Sequence, residues 1–358
     1  MANESVKSKV LVTGGTSYIG SRVVLRLLEA GYTVHTTVRR LSHTRKLQPL
    51  VAMQEKYPGR LELFEANLLR PGAFEEPMRG CATVHHVASP FKLPEHIKDG
   101  QTEMLEPALD GVRNVLDAVT KTESVTRVIL TSTIGAIAGD YADVLDKMKD
   151  GVMSEAYFQN SSSLTHNPYH YSKVESEKEA WRVFEQQGAV KRWTLVALCP
   201  GLVLGPSLVP YAESESGSLR LLHDMMKGEL WFGAPKLNFC LVDVREVAEA
   251  HLQAMEKPET HGRYIIARHE MTSYLEIANV LRPIHRKPLL LPKYETPTVA
   301  VRLIGWAFGL TQYWIRRNMD IRFKVDNSRS IQELGISYRP VDEMITEHYR
   351  SWAEQQRK

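Results

Sequence analysis

The stretch VLVTGGTSYIG, from Val10 to Gly20, decides the fold. An apolar, β-branched run breaks into glycines and restarts with helical spacing, which reads as a strand, a tight turn and the opening of a helix. A helix beginning there aims unpaired backbone N–H groups and the positive end of its dipole at the turn, ready for a pyrophosphate. Gly14 permits the turn and Gly20 the close packing of the helix. Where a middle glycine is usual the chain has Ser17, whose hydroxyl can contact phosphate but whose Cβ narrows the approach. Tyr18 and Ile19 complete the expected cradle.

Outward from this turn, short β-branched runs alternate with longer helical patterns. Lys9–Thr13, Thr33–Val38, Leu61–Ala66, Thr83–Val87, Arg127–Thr131 and Thr194–Leu198 read as strands, and Ser21–Ala30, Leu105–Thr120 and Tyr169–Gln187 as amphipathic helices. This rhythm predicts right-handed crossovers and an α/β doubly wound parallel sheet, a Rossmann fold, with its ligand crevice at the carboxyl ends of the strands. After Pro200 a Gly/Pro/Ser-rich stretch through Ser218 breaks the rhythm. A helix at Val244–Met255 and a strand at Arg263–Ala267 then resume it. The expected division is a dinucleotide-binding domain over 1–200, rejoined by about 238–270, and a smaller C-terminal substrate-binding domain over 201–237 and 271–358.

The second strand ends TVRR, about twenty residues past the last glycine, where a carboxylate would bind the ribose hydroxyls of NAD. Arg39 stands there instead, a planar fork suited to a 2′-phosphate, with Lys46 as a second charge, so the expected cofactor is NADPH. Further on, NPYHYSK opens a helix with a proline in its first turn, and the four-residue spacing puts Tyr169 and Lys173 on one face. A tyrosine donates its proton only if the anion is tolerable, and a neighbouring ammonium is expected to lower the phenol pKa. The strand VILTST ends in three hydroxyl residues at the sheet edge, where one can hydrogen-bond a substrate carbonyl.

Together TGGTSYIG, TVRR, HHVASP, LTST, NPYHYSK, CPGLVLGP, VDVREVAEAH and DNSRSIQELGISYRP resemble the extended short-chain dehydrogenase/reductases related to dihydroflavonol and cinnamoyl-CoA reductases. The resemblance implies Thr133 in the role of the usual serine, Tyr169 as general acid and Lys173 as its partner, which also hydrogen-bonds the nicotinamide ribose. It further implies Arg39 and Lys46 at the 2′-phosphate, Asn67 and Leu68 near adenine, Val87, Ala88 and Ser89 along the cofactor, and Pro200 to Val203 beside the nicotinamide. Ser17, Asn67 and Thr133 depart from the family's glycine, aspartate and serine, each keeping a workable polar atom. Ile134-Gly135-Ala136 follows Thr133 where sugar-nucleotide dehydratases carry Asp-Glu, which argues against that chemistry.

The expected activity is reduction of an aldehyde or ketone with NADPH. The alternatives are a hydroxysteroid-type dehydrogenase working oxidatively and a redox sensor that binds NADP without turnover. A net charge of +3 argues against a nucleic-acid partner, and the basic clusters at Arg282–Lys287 and Arg316–Arg317 read as solvated faces. Cys81, Cys199 and Cys240 are dispersed, and the polar start MANESVKSK lacks a secretory pattern, so a reducing, cytoplasmic setting is expected. Asn3-Glu4-Ser5 and Asn160-Ser161-Ser162 are then silent glycosylation patterns.

Val299–Leu310 is apolar but short and interrupted by Arg302, which suggests a buried or lid-forming helix rather than a membrane span. Trp306, Phe308, Tyr313 and Trp314 read as core. His85 and His86 must face opposite ways on their strand, and no metal site is expected. Specificity is assigned to loops around Phe91, Ile134, Leu204 and Tyr211.

Overall fold

The computed structural model describes residues 7–92, 96–211 and 217–357, apart from the side chains of Ile304, Ala307 and Phe308. Seven strands form the central sheet: β1 (Lys7–Thr13), β2 (Tyr32–Val38), β3 (Leu61–Glu65), β4 (Thr83–His86), β5 (Arg127–Thr131), β6 (Thr194–Pro200) and β7 (Gly262–Ile266). They lie in the order β7-β6-β5-β4-β1-β2-β3, every neighbouring pair parallel. The order reverses between β1 and β4, so the connections leaving them diverge and open a crevice at their carboxyl ends.

Helices α1 (Tyr18–Glu29), α2 (Thr44–Lys56), α3 (Glu106–Lys121), α4 (Pro168–Glu185), α5 (Gly217–Lys227), α6 (Val244–Glu256) and α7 (Val341–Gln355) supply most of the covering. Strand alternation sorts the core. Val10 and Val12 pack with Val23 and Leu27 of α1 and Leu252 of α6, whereas Leu11 packs on the other face with Val112 and Val115 of α3 and Ala180 of α4. Each such fully buried aliphatic side chain contributes about 1.5–3 kcal/mol. The α2 helix has no counterpart in the sequence reading, because Pro49 interrupts the stripe formed by buried Leu47, Leu50 and Met53.

Beyond β6 a short strand, Leu202–Leu204, pairs in parallel with Leu241–Asp243 and brings the chain back to α6 and β7. Asp243 caps α6: its carboxylate accepts from the Arg245 amide at 2.8 Å, and Glu246 accepts from the Asp243 amide at 3.0 Å.

Four expectations need correction. Val299–Leu310 is not one buried helix but a short helix, Thr298–Ile304, followed by a tight 3₁₀ turn, Gly305–Phe308, with Val299, Leu303 and Trp306 exposed. Of the four aromatic residues read as core, Trp306 is 77% and Tyr313 47% exposed; only half-buried Trp314 packs with Val301, Ile315 and Met319, and the Phe308 side chain lies outside the described residues. Arg317 is no solvated charge, since its guanidinium grips Asp143 at 2.9 Å and Asp146 at 2.5 Å, whereas Arg286, Lys287 and Arg316 are exposed. Leu204 and Tyr211 are core residues, the Tyr211 hydroxyl donating to the His348 carbonyl at 3.2 Å. Among the described residues no helix is long and apolar enough to cross a membrane. Asn3 lies outside them.

Candidate active site

The cofactor turn is shaped by what a side chain would strike. Gly14 has φ +75°, and a Cβ on it would lie 3.0 Å from that of Ala88 at the end of β4. A Cβ on Gly15 would reach 2.2 Å from Thr36 Oγ1, and one on Gly20 would reach 2.2 Å from the Gly14 carbonyl oxygen. All three glycines are therefore steric requirements, including Gly15, which motif spacing alone does not single out. Ser17 is the N-cap of α1: its Oγ accepts from the Gly20 amide at 3.0 Å, which leaves the hydroxyl its own proton to donate. The amides of Tyr18 and Ile19 head the helix, where no intrahelical acceptor exists. The Tyr18 side chain turns away, its buried hydroxyl donating to the Gly205 carbonyl at 2.9 Å.

Thr13 pins the two sides of the crevice together. Its Oγ1 accepts from the amides of Val87 at 3.1 Å and Ala88 at 3.0 Å, and His86 Nδ1 lies 3.0 Å away. His85 points to the opposite face, its Nδ1 3.2 Å from that of His251 on α6. Leu68, Ala88, Ser89 and Lys173 line one narrow crevice, so residues separated by a hundred positions of sequence meet there. Asn67, next to Leu68 in sequence, accepts from the Leu69 amide at 3.0 Å. Arg39 is exposed just beyond β2, close in sequence to Thr37, whose carbonyl accepts the Gly14 and Gly15 amides. Lys46 lies in the first turn of α2. Pro200 ends β6, while the Val203 side chain is buried in the core.

The opening of α4 follows from Asn167 in the left-handed region, φ 50°, and Pro168 at the first helical position. The Asn167 amide group donates to the Gly139 carbonyl and to Asp140, each at 3.0 Å, which fixes the angle at which the helix enters the site. Tyr169 is half-buried with its ring edge-on to Phe91 at 5.2 Å, and Lys173 Nζ lies 5.9 Å from the Tyr169 ring centroid. Thr133 caps the 3₁₀ turn Ile134–Ala136, its Oγ1 accepting from the Gly135 amide at 3.1 Å. That turn nestles on α4: a Cβ on Gly135 would come 2.6 Å from the His170 ring.

Burial dominates the protonation chemistry here. It lowers the Lys173 ammonium to about 8 against a smaller opposing pull from Glu177, and lowers His86 to about 3 with some help from Lys173. The expected lowering of Tyr169 does not appear. Burial pushes its phenol up to about 12, with the Lys173 ammonium 5.9 Å from the ring centroid. The site thus holds a protonated phenol beside a partly titratable lysine at neutral pH.

Glycine turn and switch-point crevice together define a dinucleotide-binding protein of the doubly wound class. The sequence profile of the NAD dependent epimerase/dehydratase family matches residues 10–267. The chain belongs to that family and is an NAD(P)-dependent oxidoreductase. It is 33% identical to "Cinnamoyl-CoA reductase CAD2" of Medicago truncatula over 80% of this chain and 83% of that one. It is 32% identical to the (2S)-flavan-3-ol-forming anthocyanidin reductase of Vitis vinifera over 82% and 83%. The fold superposes on yeast methylglyoxal/isovaleraldehyde reductase Gre2, solved with NADPH, with a TM-score of 0.77 at 24% identity, covering 97% of this chain and 99% of that one.

Proposed function

We propose that this enzyme reduces an aldehyde or ketone to an alcohol with NADPH, Tyr169 being the proton donor. The observation that carries the reading is Tyr169 and Lys173 one helical turn apart at the start of α4, with Lys173 lining the crevice. The cradle fits a dinucleotide: three glycines admit close backbone approach, and the amides of Tyr18 and Ile19, with Ser17, face the pyrophosphate. In this reading Arg39 and Lys46 hold the 2′-phosphate, Asn67 and Leu68 border the adenine, and Val87 to Ser89 follow the ribose. Pro200 and Val203 flank the nicotinamide. Residues 201–237 and 271–358 form the substrate-binding part, and the three buried free cysteines suit a reducing cytoplasm.

The bound cofactor supplies a hydride to the carbonyl carbon. Thr133 donates a hydrogen bond to the carbonyl oxygen and polarises it. Tyr169 Oη then gives that oxygen its proton, and Lys173 stabilises the phenolate left behind. Burial keeps the Tyr169 phenol protonated at neutral pH, so its hydroxyl has a proton to give.

The test is cofactor oxidation by a panel of hydroxycinnamoyl-CoA esters, dihydroflavonols, aromatic aldehydes, 2-oxoaldehydes and β-ketoesters. We expect turnover of at least one class with NADPH preferred to NADH, and reversal of that preference in Arg39→Asp. A charge-assisted phosphate contact is worth about 1.5–3 kcal/mol, or about ten- to a hundredfold in affinity. No turnover across the panel, or equal affinity for both cofactors, would contradict the reading.

A further inference from the structure

One charge near the site has no part in the mechanism above. Glu177 lies one turn beyond Lys173 on α4 and is 1% exposed. Its Oε2 accepts from the Ser132 hydroxyl at 2.5 Å, and Ser132 immediately precedes Thr133. Arg263, from β7, closes on the same carboxylate from the other side, Nε to Oε1 at 2.6 Å and a terminal nitrogen to Oε2 at 3.1 Å, while Trp181 Nε1 donates to Oε1 at 3.2 Å. Arg263 is held in turn by the Glu155 carbonyl at 3.0 Å, the Tyr157 carbonyl at 2.5 Å and the Phe158 ring at 3.9 Å. Two buried charges are thus fully engaged at the junction of β5, β7 and α4.

Stability alone is a poor reason to keep such a pair, because well-packed apolar residues of similar volume commonly do as well or better. Its position suggests another reason. The carboxylate ties the strand end that carries Thr133 to the helix that carries Tyr169 and Lys173. It also sets a negative charge one turn below the Lys173 ammonium, which has no ion-pair partner at contact distance among the described residues. We propose that Glu177, clamped by Arg263 and Ser132, is a positioning residue that keeps Lys173 charged and registers α4 against the end of β5. This deepens the carbonyl-reductase reading and rests on it.

Among the described residues the groups facing Lys173 are Tyr169 and Glu177 from its own helix and His86 from β4; Arg263 and Cys199 face Glu177. His86 is neutral above about pH 3, so it does not titrate with Lys173. Burial lowers Lys173 to about 8 and Glu177 opposes that fall. Removing the carboxylate charge therefore lets the lysine lose its proton at lower pH.

The experiment compares pH–rate profiles for NADPH oxidation, on the fastest substrate of the carbonyl panel, in wild type, Glu177→Gln, Glu177→Asp and Tyr169→Phe. In Glu177→Gln the alkaline limb should move down by about one pH unit. Glu177→Asp, which keeps the charge, should leave the limb near its wild-type position. Should Glu177→Gln fail to fold, the double variant Glu177→Leu with Arg263→Met removes both charges without stranding either, and its alkaline limb should also move down. An unmoved limb in a folded Glu177→Gln or double variant, with Tyr169→Phe inactive, would overturn this inference and leave the reading of the site intact. Turnover retained by Tyr169→Phe would overturn that reading, and this inference with it.

Discussion

Helix α4 presents two kinds of ionisable group on two of its faces. In its first turns Tyr169 and Lys173 are desolvated, and burial pushes the phenol up to about 12 and the ammonium down to about 8. On the face toward α3, Glu179 is as little exposed as Lys173, yet Arg182 and Arg113 pull its carboxyl down to about 2. Arg113 Nε and the Arg182 guanidinium both lie 2.6 Å from Glu179 Oε1. In the first region burial works against the charged forms; in the second, partners work for one. Desolvated, weakly partnered titratable groups in a cleft are the pattern of a working site, and a carboxylate saturated by arginines is the pattern of a structural brace.

Two substitutions sharpen this contrast by separating function from stability. The larger effect is expected for Lys173→Met. It should cut turnover by about a hundredfold or more and weaken NADPH binding, as measured by cofactor fluorescence and absorbance. Stability should hold or rise, because the variant removes a buried charge and keeps the volume. The pH sign is fixed. Lys173 is lowered from 10.5 to about 8, so its desolvation penalty is complete below pH 8 and relieved as pH rises toward 10.5. The stability gap between variant and wild type, followed by denaturant unfolding, should therefore narrow over that range. A Lys173→Met protein that unfolds easily yet turns over normally would erase the distinction between the two faces.

The smaller effect is expected for Glu179→Gln. Turnover should be unchanged and stability should fall by about 1 kcal/mol, the modest value reflecting its half-exposed arginine partners. A carboxyl lowered from 4.5 to about 2 contributes stability that is complete above pH 4.5 and lost as the pH falls to about 2. Wild type and variant should accordingly converge in thermal stability toward pH 2. A constant difference across that interval would show that the brace acts through packing rather than charge.

The parts of the molecule that follow local rules were legible in the sequence. β-branched strands, glycines at the first turn and the spacing of Tyr169 and Lys173 depend on neighbours within a few residues, and the parallel sheet and cofactor turn agree with them. What depends on long-range contact was not legible. Gly15 is required by Thr36, Thr13 by the amides after β4, and Glu177 by Arg263 from the far end of the sheet. Apolar content also misled around Trp306, because the sequence states that a residue is apolar without stating that anything covers it. Adjacency to Lys173 alone predicts a fall in the Tyr169 pKa, whereas the direction depends on how much water each group has lost.

The most direct test of the account is Tyr169→Phe, assayed for NADPH binding by fluorescence and for carbonyl reduction by NADPH absorbance in the same preparation. The substitution removes one hydroxyl from the reacting centre and almost no volume. The account predicts near-normal binding with turnover reduced by about a hundred- to ten-thousandfold. Turnover close to wild type on a good substrate would contradict it and remove Tyr169 as the proton donor.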